Sequence, residues 1–117
     1  MDKISVIIPY HKKISFIKKS LNSALNQTYQ NKEIIIIFDD NNQEELKKIK
    51  IFIKRKKNIK LIINSKNLGA GLSRNKAAKV AEGKYLAFLD ADDFWKNNKL
   101  SYQISIMKKL NIKISHT

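Results

Sequence analysis

Two short acidic stretches interrupt a chain otherwise dominated by lysine. Asp39-Asp40 and Asp90-Ala91-Asp92-Asp93 hold five of the ten acidic residues, in 117 residues that carry 24 lysines and arginines and a formal charge of +14. Carboxylates gathered that closely repel one another, which argues for a cation among them. Asp90 and Asp92 follow an apolar run and have the spacing to reach a hard divalent cation, Mg2+ or Mn2+, which keeps positions open for phosphate oxygens. The same stretch also reads as a helix N-cap, with Asp92 or Asp93 accepting from the first amides of a following helix. Asp39-Asp40, with Asn41-Asn42 behind it, reads either as a turn or as acceptors for a base N–H or a ribose hydroxyl. Arg74, one of only two arginines, suits an anion through its planar fork, or is a solvated helix arginine. After Pro9, Tyr10 and His11 offer rings for stacking on a base, or are ordinary loop aromatics. His11 has no His or Cys partner at metal-ligand spacing, and His116 is assigned no role. Asn67-Leu68-Gly69-Ala70-Gly71 permits close backbone approach, but it matches neither the dinucleotide fingerprint nor the phosphate-loop pattern.

The elements that must position these residues follow from the apolar pattern. Ile4–Ile8, Glu33–Phe38, Lys60–Ile63 and Tyr85–Leu89 read as strands, the first two buried on both faces as in a parallel sheet. Between them the period is helical. Phe16, Ile17, Ser20, Leu21, Ala24 and Leu25 share a face after Ser15, the expected N-cap. Leu46, Ile49, Phe52 and Ile53 form a second stripe, and Leu100, Ile104, Met107 and Leu110 a last one. Residues 72–82 form an Ala-rich helix, with Gly83 the expected residue just past its end. Four strand–helix repeats predict a three-layer α/β/α sandwich, Rossmann-like, with a mainly parallel sheet. A fifth strand begins within Ile112–Thr117. In such a sheet, ligands bind at the carboxyl ends of the strands, and every unusual cluster falls on that edge. Phe94-Trp95 is expected to anchor the acidic loop against the last helix.

Composition narrows the classes further. A chain of this length is expected to form one domain, residues 1–117. Without cysteine there is no disulfide scaffold, Cys-ligated zinc, iron–sulfur site or thiol nucleophile. No segment approaches the roughly 18 apolar residues of a membrane span, and Ile4–Pro9 is too short for the core of a signal peptide. A cytoplasmic protein is expected, with membrane contact only at its surface. The charge attracts polyanions, and a basic α/β module binding RNA or anionic membrane without catalysis is the alternative reading. Lysines outnumber arginines 22 to 2 and are scattered, and the Arg-rich, aromatic-interleaved signature of base readout is missing, so no specific nucleic acid partner is expected.

Taken in order, Ser5-Val6-Ile7-Ile8-Pro9, Ser23-Ala24-Leu25-Asn26-Gln27-Thr28-Tyr29, Glu33 through Asp40, Asn67-Leu68-Gly69, Ser73-Arg74-Asn75 and Glu82 through Asp93 closely resemble the inverting family 2 glycosyltransferases. The resemblance runs from about residue 3 to about residue 103. It implies the nucleotide-binding half of a GT-A fold, holding a nucleotide-diphospho-sugar, a UDP-sugar above all, with Mn2+ or Mg2+. The implied reaction is transfer of the sugar to a saccharide or lipid-linked acceptor in bacterial cell-surface polysaccharide synthesis, at the inner face of the membrane. Position by position, Pro9, Tyr10 and His11 would line the base pocket and Asp40 would bond the base. Arg74 would contact base or diphosphate, Asp90 would lie near ribose and sugar, and Asp92 would coordinate the metal. Where the family usually shows Pro-x-Tyr-Asn, this chain has Pro9-Tyr10-His11-Lys12, so either ring is a candidate for stacking. One extra residue before the acidic pair keeps Asp39 a candidate beside Asp40. The resemblance also implies that the catalytic base lies beyond Thr117, which would make the chain a truncated, incomplete enzyme.

Overall fold

The computed structural model describes residues 2–110 and 114–116. In chain order the elements are β1 (Ile4–Tyr10), α1 (Ile14–Leu25), β2 (Lys32–Phe38), α2 (Gln43–Ile53), β3 (Ile59–Ile63), α3 (Ala70–Val80), β4 (Tyr85–Phe88), α4 (Lys99–Leu110) and β5 (Ile114–His116). All strand pairs are parallel, in the order β3-β2-β1-β4-β5. The architecture is the expected α/β/α sandwich with a parallel sheet, and β5 falls inside the segment expected to hold it.

The isoleucine runs explain why β1 and β2 occupy the middle. Their register pairs Ile4 with Lys32 through Tyr10 with Phe38, and apart from the half-buried Pro9 every apolar residue of both strands is 1% exposed or less. Burial of an aliphatic side chain of that size contributes about 1.5–3 kcal/mol, which only a strand covered on both faces collects at consecutive positions. Ile4, Val6, Ile8, Tyr10, Ile34, Ile36 and Phe38 face the core shared with α1, α2 and α4. Ile7, Ile35 and Ile37 face α3, which meets them through Ala77. The buried contacts of α3 are small, Ser73 and Ala77, and both are fully covered.

Several local expectations change. Phe16 is half exposed, because the buried stripe of α1 is centred on Ile17, Ser20, Leu21 and Ala24, and Phe16 sits on its flank. The N-cap of α1 is Lys13, with no side-chain cap, and Ser15 lies inside the first turn. Helix α3 spans 70–80 and ends at an extended Ala81. Gly83 is therefore no helix cap. It lies against β1, where an added Cβ would come within 2.5 Å of Ser5 Oγ and 2.6 Å of Ser5 N. Its N–H donates to Ser5 Oγ (2.8 Å), and that hydroxyl donates to the Glu33 carboxylate (2.6 Å). Burial would raise the Glu33 carboxyl, but bonds from Ser5, the Glu82 amide and Lys60 outweigh it and hold the group below the usual carboxylate range. This knot joins β1, β2 and the α3–β4 link at the edge opposite the acidic loops.

Candidate active site

The strand order reverses between β1 and β4, since the chain runs outward from β1 to β2 and β3 before crossing to β4. A crevice opens at such a switch point, outside the strands' carboxyl ends. Here it is a pocket of about 240 Å³. Pro9, Tyr10, His11 and Lys13 line it from the end of β1, and Asp39 from β2. Ala70 and Ser73 line it from the first turn of α3, and Asp90, Ala91 and Asp92 from the loop after β4. Seven of the eight sequence-derived site residues thus meet at this pocket or at its rim. The seventh, Arg74, reaches it by bonding Asp90 through Nη2 at 3.1 Å. With α3 starting at Ala70 and not at Leu72, that arginine stands two residues further into the helix than expected.

The two residues of the first acidic pair have different surroundings. Asp39 Oδ1 accepts from Asn64 Nδ2 (3.0 Å) and the Leu68 amide (2.7 Å), and Oδ2 accepts from the Gly69 amide (2.9 Å). These bonds fix the turn in which Gly69, at φ 85°, opens α3. Asp40 stands behind the wall. Its side chain is 2% exposed, and it accepts from the amides of Lys12 (2.9 Å), Asn41 (2.7 Å) and Asn42 (3.2 Å). Burial would raise both carboxyls. The hydrogen bonds outweigh it, and with His11 nearby both groups stay below the usual range and ionised. Asp39 is the member of the pair on the pocket wall, while Asp40 orders the β1 and β2 loops.

The two rings also separate. Tyr10 is fully buried, stacked on Phe38 with ring centroids 5.3 Å apart, and its hydroxyl donates to Glu45. Burial, and then Glu45, pushes the phenol well up. The ring exposed toward the pocket is His11, whose side chain is 46% exposed. Lys12 beside it holds a left-handed φ of 52°, which lets its amide reach Asp40.

Asp90 and Asp92 keep their oxygens at the surface, with side chains 59% and 45% exposed. Their nearest charged partners are protein cations: Arg74 on Asp90, and Lys13 Nζ 3.4 Å from Asp92. Neither Asp92 nor Asp93 caps α4, which starts six residues later at Lys99. Asp93 instead accepts from the adjacent Phe94 amide. Among the described residues no group of three or more His, Cys, Asp or Glu side chains converges on one point. The donor set therefore fits a cation that takes one or two carboxylates and leaves its other positions to phosphate oxygens and water, as Mg2+ and Mn2+ do.

Sequence reasoning missed what holds this loop. Ser20 on α1 is fully buried, and its hydroxyl lies at 2.7 Å from the Ala91 carbonyl and also meets the carbonyl of Asp93. Ser23 Oγ accepts from the Trp95 amide at 3.0 Å. Gln27, 1% exposed, donates to the Lys96 carbonyl (2.6 Å) and accepts from the Leu100 amide (2.8 Å). The signal was present as polar residues at helical spacing along a buried stripe, which only a polar neighbour can satisfy. Trp95 is buried and anchors the loop as expected, whereas Phe94 is exposed beneath Lys19.

A parallel α/β sandwich with carboxylates, a guanidinium and an imidazole around one switch-point pocket defines a ligand-binding α/β domain of the Rossmann-like class. The chain belongs to glycosyl transferase family 2, whose family model matches residues 5–115. It is 41% identical over 109 residues to the UDP-Glc:alpha-D-GlcNAc-diphosphoundecaprenol beta-1,3-glucosyltransferase WfgD of Escherichia coli, covering 93% of this chain and 42% of that one. An uncharacterized glycosyltransferase of Rickettsia bellii is 41% identical over 115 residues, 98% of this chain and 16% of that protein. Among solved structures, Staphylococcus aureus TarS 1-349 in complex with UDP superposes with a TM-score of 0.79 at 29% identity, over 92% of this chain and 32% of that one. The fold is shared as well with the mannosyltransferase PcManGT of Pyrobaculum calidifontis, solved with GDP-Man and Mn2+, at a TM-score of 0.82 and 17% identity, over 89% of this chain and 32% of that one. The chain spans less than half the length of each of these relatives. No helix among the described residues is long and apolar enough to cross a membrane.

Proposed function

We propose that this chain binds the nucleotide-diphospho-sugar donor of a glycosyl transfer reaction, a UDP-sugar, together with Mn2+ or Mg2+. The supporting observation is the convergence of His11, Asp39, Asp90 and Asp92 on one pocket, with Arg74 bonded to Asp90 at its rim. The named activity of WfgD and the UDP complex of TarS favour UDP over other nucleotides. In this reading Pro9 and His11 carry the base, while Tyr10 supports that wall from within the core. Asp39 holds the Gly69–Ala70 turn against the ligand, and Asp40 acts through the loop it orders. Asp92 is the metal ligand, with Asp90 beside it near ribose and sugar. When bound, the cation would neutralise charge developing on the departing diphosphate.

The protein's own cations contribute to the same end. Arg74 and Lys13 rest on the two carboxylates, so a diphosphate entering the pocket meets positive side chains already held at its rim. Moving either from carboxylate to phosphate exchanges one ion pair for another at little electrostatic cost. The acceptor would be a saccharide or lipid-linked sugar in cell-envelope polysaccharide synthesis, reached at the cytoplasmic face by peripheral contact. The test is titration calorimetry of UDP with and without Mn2+. Micromolar binding that requires metal, and that Asp92→Ala abolishes without lowering the melting temperature, is expected. Metal-independent binding that fades steeply with salt and ignores Asp92 would instead mark a general polyanion surface.

A further inference from the structure

Helices α1 and α2 cover the same face of the sheet and leave a groove of about 600 Å³ between them. Buried Ile17 and Ile49 form its floor, half-buried Phe52 lines its side, and Ile51 stands at its lip, 65% exposed. Lys18 and Lys48 line it as well, and no carboxylate does. Lys18 and Lys56 hold their ammonium groups over the ring of Phe52, at 5.5 Å and 4.0 Å from its centroid. The groove adjoins the donor pocket, since Lys13 lines the pocket and the next residue, Ile14, lines the groove.

Lysines that are scattered along the sequence gather on these two helices. Residues 12–19 hold four lysines and no acid, and residues 47–57 hold six lysines, Arg55 and no acid. The acidic residues of α2 stand in its first turn, where Glu45 is engaged by Tyr10 and Asn42. Of all these cations, Lys13 alone has an ion pair among the described residues. Exposed aliphatic surface framed by unpaired ammonium groups suits an anionic bilayer: the apolar lip enters the headgroup boundary, and lysine stems lie along it with their heads on lipid phosphate. Other occupants fit less well. Protein interfaces are depleted of lysine, and RNA recognition asks for arginine and for bases stacked on rings, whereas the Phe52 ring is taken by two lysines.

We propose that the face formed by α1 and α2 docks on anionic lipid bilayers, with Ile51 in the headgroup boundary and Lys18 and Lys48 against lipid phosphates. Docking of this kind seats the donor pocket at the bilayer surface. Its purpose, presenting that pocket to an acceptor held in the membrane, rests on the donor-site reading above, whereas the docking itself uses no pocket residue.

Vesicles of equimolar phosphatidylcholine and phosphatidylglycerol should carry the full chain down on sedimentation, and vesicles of phosphatidylcholine alone should not. A lysine near the surface contributes about fivefold to partitioning, so Lys18→Gln with Lys48→Gln should lower it about twentyfold. Ile51→Asn should lower it about fivefold without changing the melting temperature, because the side chain is exposed. Lys66→Gln with Lys79→Gln removes the same charge from α3 and the loop before it; α3 packs on the other face of the sheet, and the change should stay under about twofold. The chain has no cysteine, so Ile51→Cys gives a single site for an environment-sensitive fluorophore. Its emission should shift to the blue on anionic vesicles, and the same label at Lys79→Cys should not shift. Equal losses from the two lysine pairs, or an unshifted label on Ile51→Cys, overturn the proposal in favour of diffuse attraction by the net charge. Tighter binding to a single-stranded RNA oligonucleotide than to vesicles, indifferent to Ile51→Asn, overturns it in favour of a polyanion site. A dimer that Ile51→Asn dissolves overturns it in favour of a second copy. Each of these leaves the donor site standing, since UDP titration with Mn2+ reads that site separately. Absence of UDP binding in a protein that still docks on vesicles overturns the donor-site reading alone.

Discussion

Replacing Asp39 by asparagine tests whether this carboxylate holds the pocket wall as its hydrogen bonds indicate. The residue is 4% exposed and its carboxylate accepts three bonds, two on Oδ1 from Asn64 and the Leu68 amide and one on Oδ2 from the Gly69 amide. Asparagine keeps one acceptor and turns an NH2 toward the other side. In the better orientation the two Oδ1 bonds survive as neutral ones, while the Gly69 N–H faces another donor. Loss of one charge-assisted bond, with its buried donor left unpaired, costs about 2 kcal/mol, and weakening of the other two brings the total to about 3 kcal/mol. That corresponds to a fall in melting temperature of about 10 °C for a domain of this size. Urea denaturation followed by the fluorescence of buried Trp95 measures it directly. The sign with pH follows from the depressed Asp39 carboxyl. Its stabilisation is complete above the unfolded-state value of about 3.9 and is lost as pH falls through the lower folded-state value. The difference between parent and variant should therefore be full at neutrality and shrink steadily below about pH 4. A cost under about 1 kcal/mol at neutral pH, or one that persists undiminished in acid, would refute the reasoning.

Three further outcomes follow from the same geometry. Gly83→Ala should destabilise by about 2–3 kcal/mol in chemical denaturation, because the added methyl meets backbone atoms of β1 at 2.6 Å and 2.9 Å that cannot move aside without shifting the strand. Gln27→Leu should leave the Lys96 carbonyl and the Leu100 amide unpaired; a loss of about 2–4 kcal/mol, with weaker UDP binding by calorimetry as the loop after β4 loosens, is expected. Tyr10→Phe should cost about 1–2 kcal/mol by removing the bond to Glu45, yet leave UDP affinity within about twofold, since the Tyr10 ring lies in the core.

The β-branched runs, the helical stripes between them and the positions of the acidic loops were all legible along the chain. Local patterns of period 2 and 3.6 dictate strands and helices, and a parallel sheet sends every loop after a strand to one edge. From that alone Asp39, Asp90 and Asp92 could be placed at one edge of the sheet, and Ile34 to Phe38 read as buried on both faces. What the chain could not reveal were contacts between residues far apart in sequence. Asp39 and Asp40 are chemically identical neighbours. Only the arrival of the Leu68–Gly69 amides on one, and of the Lys12 and Asn41 amides on the other, separates wall from scaffold. Tyr10 and His11 are adjacent rings, and strand alternation against the packing of Phe38 and Glu45 decides that the first is core and the second faces the pocket. Ser20 and Gln27 read as polar intrusions on an apolar face until the loop 69 to 73 residues away lies against them. Which groups are present is a property of the sequence. Which of them have hydrogen-bonding capacity left for a ligand is decided by tertiary structure, because each buried polar atom must first be satisfied by whatever the fold brings beside it.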